Sequence, residues 1–241
     1  EGKAWDLGEE PFLGGVTSVV YDTEKRTLVS HRLALAGTAQ NCAGGATPWG
    51  TWLSCEEWID VDDNSTQREH GWVFEVPANA DGECSMPEPL RALGRFRHEA
   101  VAVDAKSGVL YLTEDEHDGL LYRFVPEVKG DLSVGKLQAL AVQDAPSSDL
   151  RNWDQDSPGP SPVTGDSLWV EWVDLLDIQA PRGDLRIRGY EIHGAARFAR
   201  GEGIWAGNGS VYFACTNGGR SRIGQIWRYH PSRFEGTDQE T

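Results

Sequence analysis

Three stretches of the chain repeat one pattern, and that pattern narrows the fold more than any other feature. Gly50-Thr-Trp-Leu-Ser-Cys-Glu-Glu57, Gly108-Val-Leu-Tyr-Leu-Thr-Glu-Asp115 and Gly209-Ser-Val-Tyr-Phe-Ala-Cys-Thr-Asn217 each set a turn glycine before a short apolar strand with a polar end. Each is followed by a polar loop and a strand running into proline: Gly71 to Pro77, Gly119 to Pro126 and Gly224 to Pro231. Nearly every other periodic segment also alternates with period two, the mark of short strands joined by tight turns. Examples are Gly15 to Tyr21, Thr27 to His31, Ala100 to Val103 and Ser167 to Val170. The best helical pattern, Val170 to Gln179, is weak. The predicted class is all-β.

Gly50 and Gly108 lie 58 residues apart, and Gly108 and Gly209 lie 101 apart, which suggests two units with a degenerate copy between them. A unit of about 40–50 residues of short antiparallel strands is the mark of a β-propeller blade. A β-sandwich is the alternative on strand spacing alone. With Gly15 to Leu33 and Ser167 to Tyr190 counted as weaker copies, residues 1–241 are expected to hold four or five blades of one propeller domain. Pro146 to Gly165 is dense in proline and serine and is expected to be a long, solvated polar loop between blades.

Composition removes several functions. Lys plus Arg number 22 against 38 Asp plus Glu, a formal charge of −16, which repels nucleic acid and anionic lipid. No apolar run approaches a membrane span. The four cysteines, Cys42, Cys55, Cys84 and Cys215, form no CxxC pair, although one or two disulfides remain compatible with their spacing. No Gly-x-Ser-x-Gly elbow is present, so nothing points to a serine triad.

In a propeller the first strand of each blade lines a central axis. Asn41 and Glu99 each stand nine positions before their turn glycines, and Glu202 stands seven before Gly209. The strands after those glycines end in Cys55-Glu56-Glu57, Glu114-Asp115-Glu116 and Thr216-Asn217. Several carboxylates cannot remain ionised at a few ångströms without cations between them. Their oxygens suit Ca2+ or Mg2+, and Cys55 adds a softer position suited to iron. Arg200 lies two residues from Glu202, so on an extended strand both face one side. That sets a guanidinium where a phosphate oxygen could be held by a bidentate fork.

Asn41-Cys-Ala-Gly-Gly-Ala-Thr-Pro-Trp-Gly-Thr-Trp-Leu-Ser-Cys-Glu-Glu57 resembles the hallmark segment of PhoX-type alkaline phosphatases. Arg97 to Val103, Tyr111 to Asp115 with Leu121 to Phe124, and Arg197 to Gly203 are similar to that family's later motifs. The resemblance implies a six-bladed propeller with an Fe3+ and Ca2+ cluster at its axis. The implied activity is hydrolysis of small phosphate monoesters by a monomer that reaches the periplasm or exterior through twin-arginine export. By the same resemblance Cys55 is the thiolate ligand of iron, with Glu99 and Glu202 as carboxylate ligands, and Arg200 holds phosphoryl oxygens. Glu56, Glu57, Glu114 and Asp115 match acidic positions assigned to calcium, and Asn41 opens the motif as a further oxygen donor. The family continues beyond Pro231, so the chain is expected to be a fragment lacking both termini. Two other readings share the fold: a calcium-dependent lactonase or esterase, which needs neither Cys55 nor Arg200, and a non-catalytic binding module.

Overall fold

The computed structural model describes residues 3–8, 12–59, 66–78, 82–154 and 157–240. Its strands, in chain order, are β1 (Gly14–Asp22), β2 (Thr27–Thr38), β3 (Asn41–Ala46), β4 (Thr51–Glu56), β5 (Val73–Pro77), β6 (His98–Val103), β7 (Leu110–Glu114), β8 (Gly119–Pro126), β9 (Gly135–Val142), β10 (Val170–Asp174), β11 (Arg197–Phe198), β12 (Gly201–Gly207), β13 (Ser210–Cys215) and β14 (Gln225–Tyr229). Among the described residues, one α-helix, α1 (Leu185–Glu191), and one short 3-10 turn at Arg91–Leu93 complete the regular structure. Among the described residues no helix is long and apolar enough to cross a membrane.

The strands form antiparallel meanders: β1-β2, β3-β4-β5, β6-β7-β8-β9 with β10 added at the outer edge, and β12-β13-β14. The turn glycines Gly50, Gly108 and Gly209 all take left-handed backbone, with φ of 85°, 83° and 70°. Nothing lies within 4 Å of a Cβ added at Gly50 or Gly209, so conformation rather than space requires glycine there.

Period two then decides how the meanders stack. On β7, Leu110 and Leu112 enter a core shared with Leu53 and Cys55 of β4 and Val73 of β5. Tyr111, between them, enters a second core with Val211, Phe213 and Cys215 of β13. On β5, Phe74 and Val76 face the opposite way from Val73, toward Ala34 and Leu35 of β2. The central meander is therefore buried on both faces, and the sheets lie face to face like the blades of a propeller.

This stacking brings the first strands together. β3 and β6 join through a single parallel pair, Gly44 opposite Ala100. The approach is close: a Cβ on Gly45 would lie 1.9 Å from the Val101 carbonyl oxygen. β12 packs against β6 and β7 from the other side.

Three expectations from the sequence are corrected. Val170 to Asp174 is not helical; it pairs with β9 as β10, because its apolar residues complete an existing sheet edge, and the helix comes later, at Leu185–Glu191. Ser167 to Trp169 precedes that strand rather than forming one, and Ser167 to Tyr190 builds no blade of its own, so no degenerate copy separates Gly108 from Gly209. The Pro-rich loop is not wholly solvated either: Ser148, Asp149, Leu150 and Asn152 are buried, with Leu150 packed among the second core's side chains. Gln155 and Asp156 of that loop lie outside the described residues. All four cysteines are free thiols.

Leu112 is fully buried between two sheets. Leu112→Ala is expected to destabilise the protein by about 2–5 kcal/mol, read as a lower urea midpoint with an unchanged slope.

Candidate metal centre

The three inner strands each break register at the same place. The irregularities fall between Cys42 and Gly45 of β3, between His98 and Val101 of β6, and between Gly201 and Ile204 of β12. A bulge of this kind re-aims the side chain it carries. Here Cys42 stands at the edge of one bulge, and Glu99 and Glu202 fall inside the other two. Thr113, buried on β7, ties the last two together: its Oγ1 accepts from the Ala100 amide at 3.2 Å and donates to the Glu202 carbonyl at 2.6 Å.

Ligand atoms of Cys42, Glu57 and Glu99 lie within 4.8 Å of one another, as do those of Glu99, Asp115 and Glu202. Glu99 belongs to both groups, so they form one continuous site of four carboxylates and a thiol. The Cys42 thiol donates to Glu99 Oε1 at 3.0 Å. Burial pushes the Glu99 carboxyl up to about 7, with the charges of Glu202, Glu57 and Asp115 adding to the rise and the Cys42 hydrogen bond opposing it. Burial likewise raises Glu202, which also feels Asp115. The Cys42 thiol is pushed up to about 12, first by burial and then by Glu99. Negative charge is unwelcome here unless a cation accompanies it.

Alternation at the strand ends separates anchors from donors. Glu56 ends β4 and turns into its own blade, where it accepts from the amides of Ala39 (2.8 Å), Gly71 (2.9 Å) and Trp72 (3.1 Å), with His70 Nδ1 at 2.7 Å. Glu114 ends β7 at the equivalent position. It is fully buried and accepts from the Leu120 amide at 3.1 Å and the Tyr122 hydroxyl at 2.8 Å. The next residue in each case, Glu57 or Asp115, faces the axis. In the third meander the buried Cys215 takes the anchor position, and Thr216 donates to Glu202 Oε1 at 3.3 Å.

Arg200 stands just ahead of β12 in left-handed backbone, φ 54°. Its amide donates to the Glu116 carbonyl at 2.8 Å, and its own carbonyl accepts from the Thr216 amide at 3.0 Å. Arg200 and Glu202 do meet, at 3.2 Å, but this local geometry rather than simple strand alternation brings them together. The guanidinium grips Asp115 with two parallel bonds: Nε donates to Oδ1 at 2.8 Å, and Nη2 donates to Oδ2. The expected fork is thus occupied by a carboxylate, while Nη1 has no partner among the described residues.

Of the residues singled out from the sequence, the structure gathers Glu57, Glu99, Asp115, Glu202 and Arg200. Glu56 and Glu114 serve as loop anchors outside both groups. The Asn41 amide is engaged elsewhere, accepting from Thr38 Oγ1 at 2.6 Å and donating to Ser54 Oγ at 2.7 Å. Cys55 lies outside the two groups, fully buried in the core between the second and third sheets. Cys42, its partner across the β3–β4 ladder, supplies the thiol instead. Spacing alone does not mark Cys42; the Gly44-Gly45 pair beside it is the sign in the sequence of a bulge that turns a neighbour toward the axis.

A propeller whose inner strands gather carboxylates and a thiol in this way has side chains that could hold metal ions. The chain belongs to the alkaline phosphatase PhoX family, which it matches over residues 22–241. Its fold is similar to that of Pseudomonas fluorescens PhoX in complex with vanadate, a transition state analogue, with a TM-score of 0.59 and 22% identity. The match covers 96% of this chain and 50% of that one, so the chain spans about half the length of that structure. No functionally curated protein matches the sequence.

Two outcomes follow. Burial raises Glu114 from 4.5 to about 7, a folded value above the unfolded one, so its contribution to stability is full below pH 4.5 and is lost as pH rises toward 7. Metal-free protein should therefore lose stability across that window, with Glu99 acting in the same direction, and Glu114→Gln should flatten the slope in urea titrations at stepped pH. Thr113→Val removes the link between two bulges and is expected to weaken metal binding by about 10–100-fold in calorimetry.

Proposed function

We propose that this chain hydrolyses small phosphate monoesters with the help of iron and calcium ions held at the propeller axis. The observation that carries the reading is the pair of donor groups sharing Glu99. The residues fit such ions: a thiol with two carboxylates suits Fe3+, and three carboxylates suit Ca2+. The raised Glu99 and Cys42 values mark a site whose ionised form needs added positive charge. Cys42, Glu57 and Glu99 would hold the iron, and Glu99, Asp115 and Glu202 the calcium. When bound, the cations supply Lewis-acid neutralisation of phosphoryl charge.

The chain's own residues do the rest. Asp115 and Glu202 hold the Arg200 guanidinium in place, leaving the Nη1 hydrogens for a phosphoryl oxygen as charge moves toward the leaving group. Thr113 and the anchors Glu56 and Glu114 keep the donors aligned without touching substrate. The −16 charge of the chain repels anions, so Arg200 is the group that offsets that field locally. Family membership also supports export by the twin-arginine route and action as a monomer in the periplasm or outside the cell.

Metal-loaded protein is expected to hydrolyse p-nitrophenyl phosphate, to lose activity after chelation and to regain it with Fe3+ and Ca2+. Arg200→Ala should lower kcat by about 10²–10³-fold. Activity that survives chelation, or that is unchanged in Cys42→Ala and Glu202→Gln, would overturn the reading. Elemental analysis adds a second axis: calcium without iron favours a lactonase or esterase, and no metal favours a binding module.

A further inference from the structure

Cys42 and Cys55 face each other across the antiparallel β3–β4 ladder. Opposed residues in such a ladder have Cα atoms about 4.5–5.5 Å apart, inside the range of about 4.4–6.8 Å that a disulfide spans. Their side chains leave the same face of the sheet. Burial and the charge of Glu99 raise both thiols, while the Ala43 amide at Cys42 and the Gly44 amide at Cys55 oppose the rise, and Cys55 also feels Cys42 itself, so the exchange needs alkaline conditions. Both are free thiols. The remaining cysteines offer no competing partner, since Cys84 lies beside Lys3 and Cys215 belongs to the core on the far side of the central meander.

We propose that Cys42 and Cys55 are a redox modification site, closing to a cross-strand disulfide that competes with metal for the Cys42 sulfur. Burial fixes the order of events. Cys55 is fully buried, whereas Cys42 is partly exposed, so a small-molecule disulfide can reach only Cys42. The Cys42 thiol gives up its proton and attacks one sulfur of that reagent; the reagent's S–S bond breaks, and its other half leaves as a thiolate that takes up a proton. The Cys55 sulfur, losing its own proton, then attacks Cys42 Sγ in the mixed disulfide and expels the second half as a thiol. Two protein thiols are oxidised and one small disulfide is reduced to two thiols. The bond itself stands apart from the phosphatase reading; the loss of a donor from the Cys42–Glu57–Glu99 group rests on it.

The test is peptide mapping of metal-free protein treated with oxidised glutathione under mildly alkaline conditions. A Cys42–Cys55 linked peptide is expected, with the chain lighter by two hydrogens and restored by dithiothreitol. Cys55→Ser should stop at the glutathione adduct on Cys42. Wild-type protein that stops at that adduct, with Cys55 still alkylated after unfolding, overturns the proposal, as does a chain that reacts only when unfolded. Preloading with Fe3+ and Ca2+ is expected to slow closure about tenfold or more, a difference of about 1.4 kcal/mol; equal rates overturn the competition. Phosphatase activity is not the readout, so reduced, metal-loaded protein that proves inactive would refute the phosphatase reading and leave the disulfide standing.

Discussion

Burial of one sheet on both faces is the constraint from which the rest follows. The β7 and β8 strands send alternate apolar side chains into two different cores, so neither face of the central meander can be turned to water. Sheets must then lie against it on each side, and the first strands β3, β6 and β12 are carried to the same edge of the stack. Chemistry at that edge needs no helix or cofactor loop to assemble it. It needs only that the inner strands deliver the right side chains.

Bulges make that delivery possible. A regular strand alternates strictly, and at the inner edge alternate positions are committed to the cores. An extra residue in β3, β6 and β12 breaks the alternation just where Cys42, Glu99 and Glu202 occur. The unpaired backbone this creates finds partners nearby, most visibly in Thr113, which bonds to the bulges of both β6 and β12. At the ends of β4 and β7 a different device operates: one acid of each pair is spent on its own loop, and its successor is released toward the axis. Ionisable residues adjacent in sequence thus take opposite roles, anchor and donor, because strand geometry turns them to opposite sides.

The electrostatic consequence is a site that is uncomfortable by itself. Glu99 sits among three other carboxylates and a thiol, and burial discourages its charge. Arg200 relieves only part of this, gripping Asp115 and touching Glu202. Added cations would complete the balance, and the mixture of one thiol with several carboxylates sets which cations fit.

Much of this could be read along the chain. The all-β class, the repeating Gly–strand units and the placing of Glu99, Asp115 and Glu202 on separate repeats all follow from period two and from spacing. Glu56 and Glu114 were indistinguishable from Glu57 and Asp115 by composition, since a carboxylate that caps backbone amides and one that faces a metal are the same residue type. Cys55 attracted attention because it ends a strand beside two acids, yet register and a bulge put Cys42 in the site instead. The segment after Val170 misled in a similar way, because a short apolar run joins whichever partner the fold supplies, and β9 supplied an open edge. By itself, then, the sequence determined the alternation and the inventory of donors, because those depend on neighbours a few residues away. Which donors meet was decided only by tertiary structure, because a bulge and a sheet stack depend on backbone pairings between segments far apart in the chain.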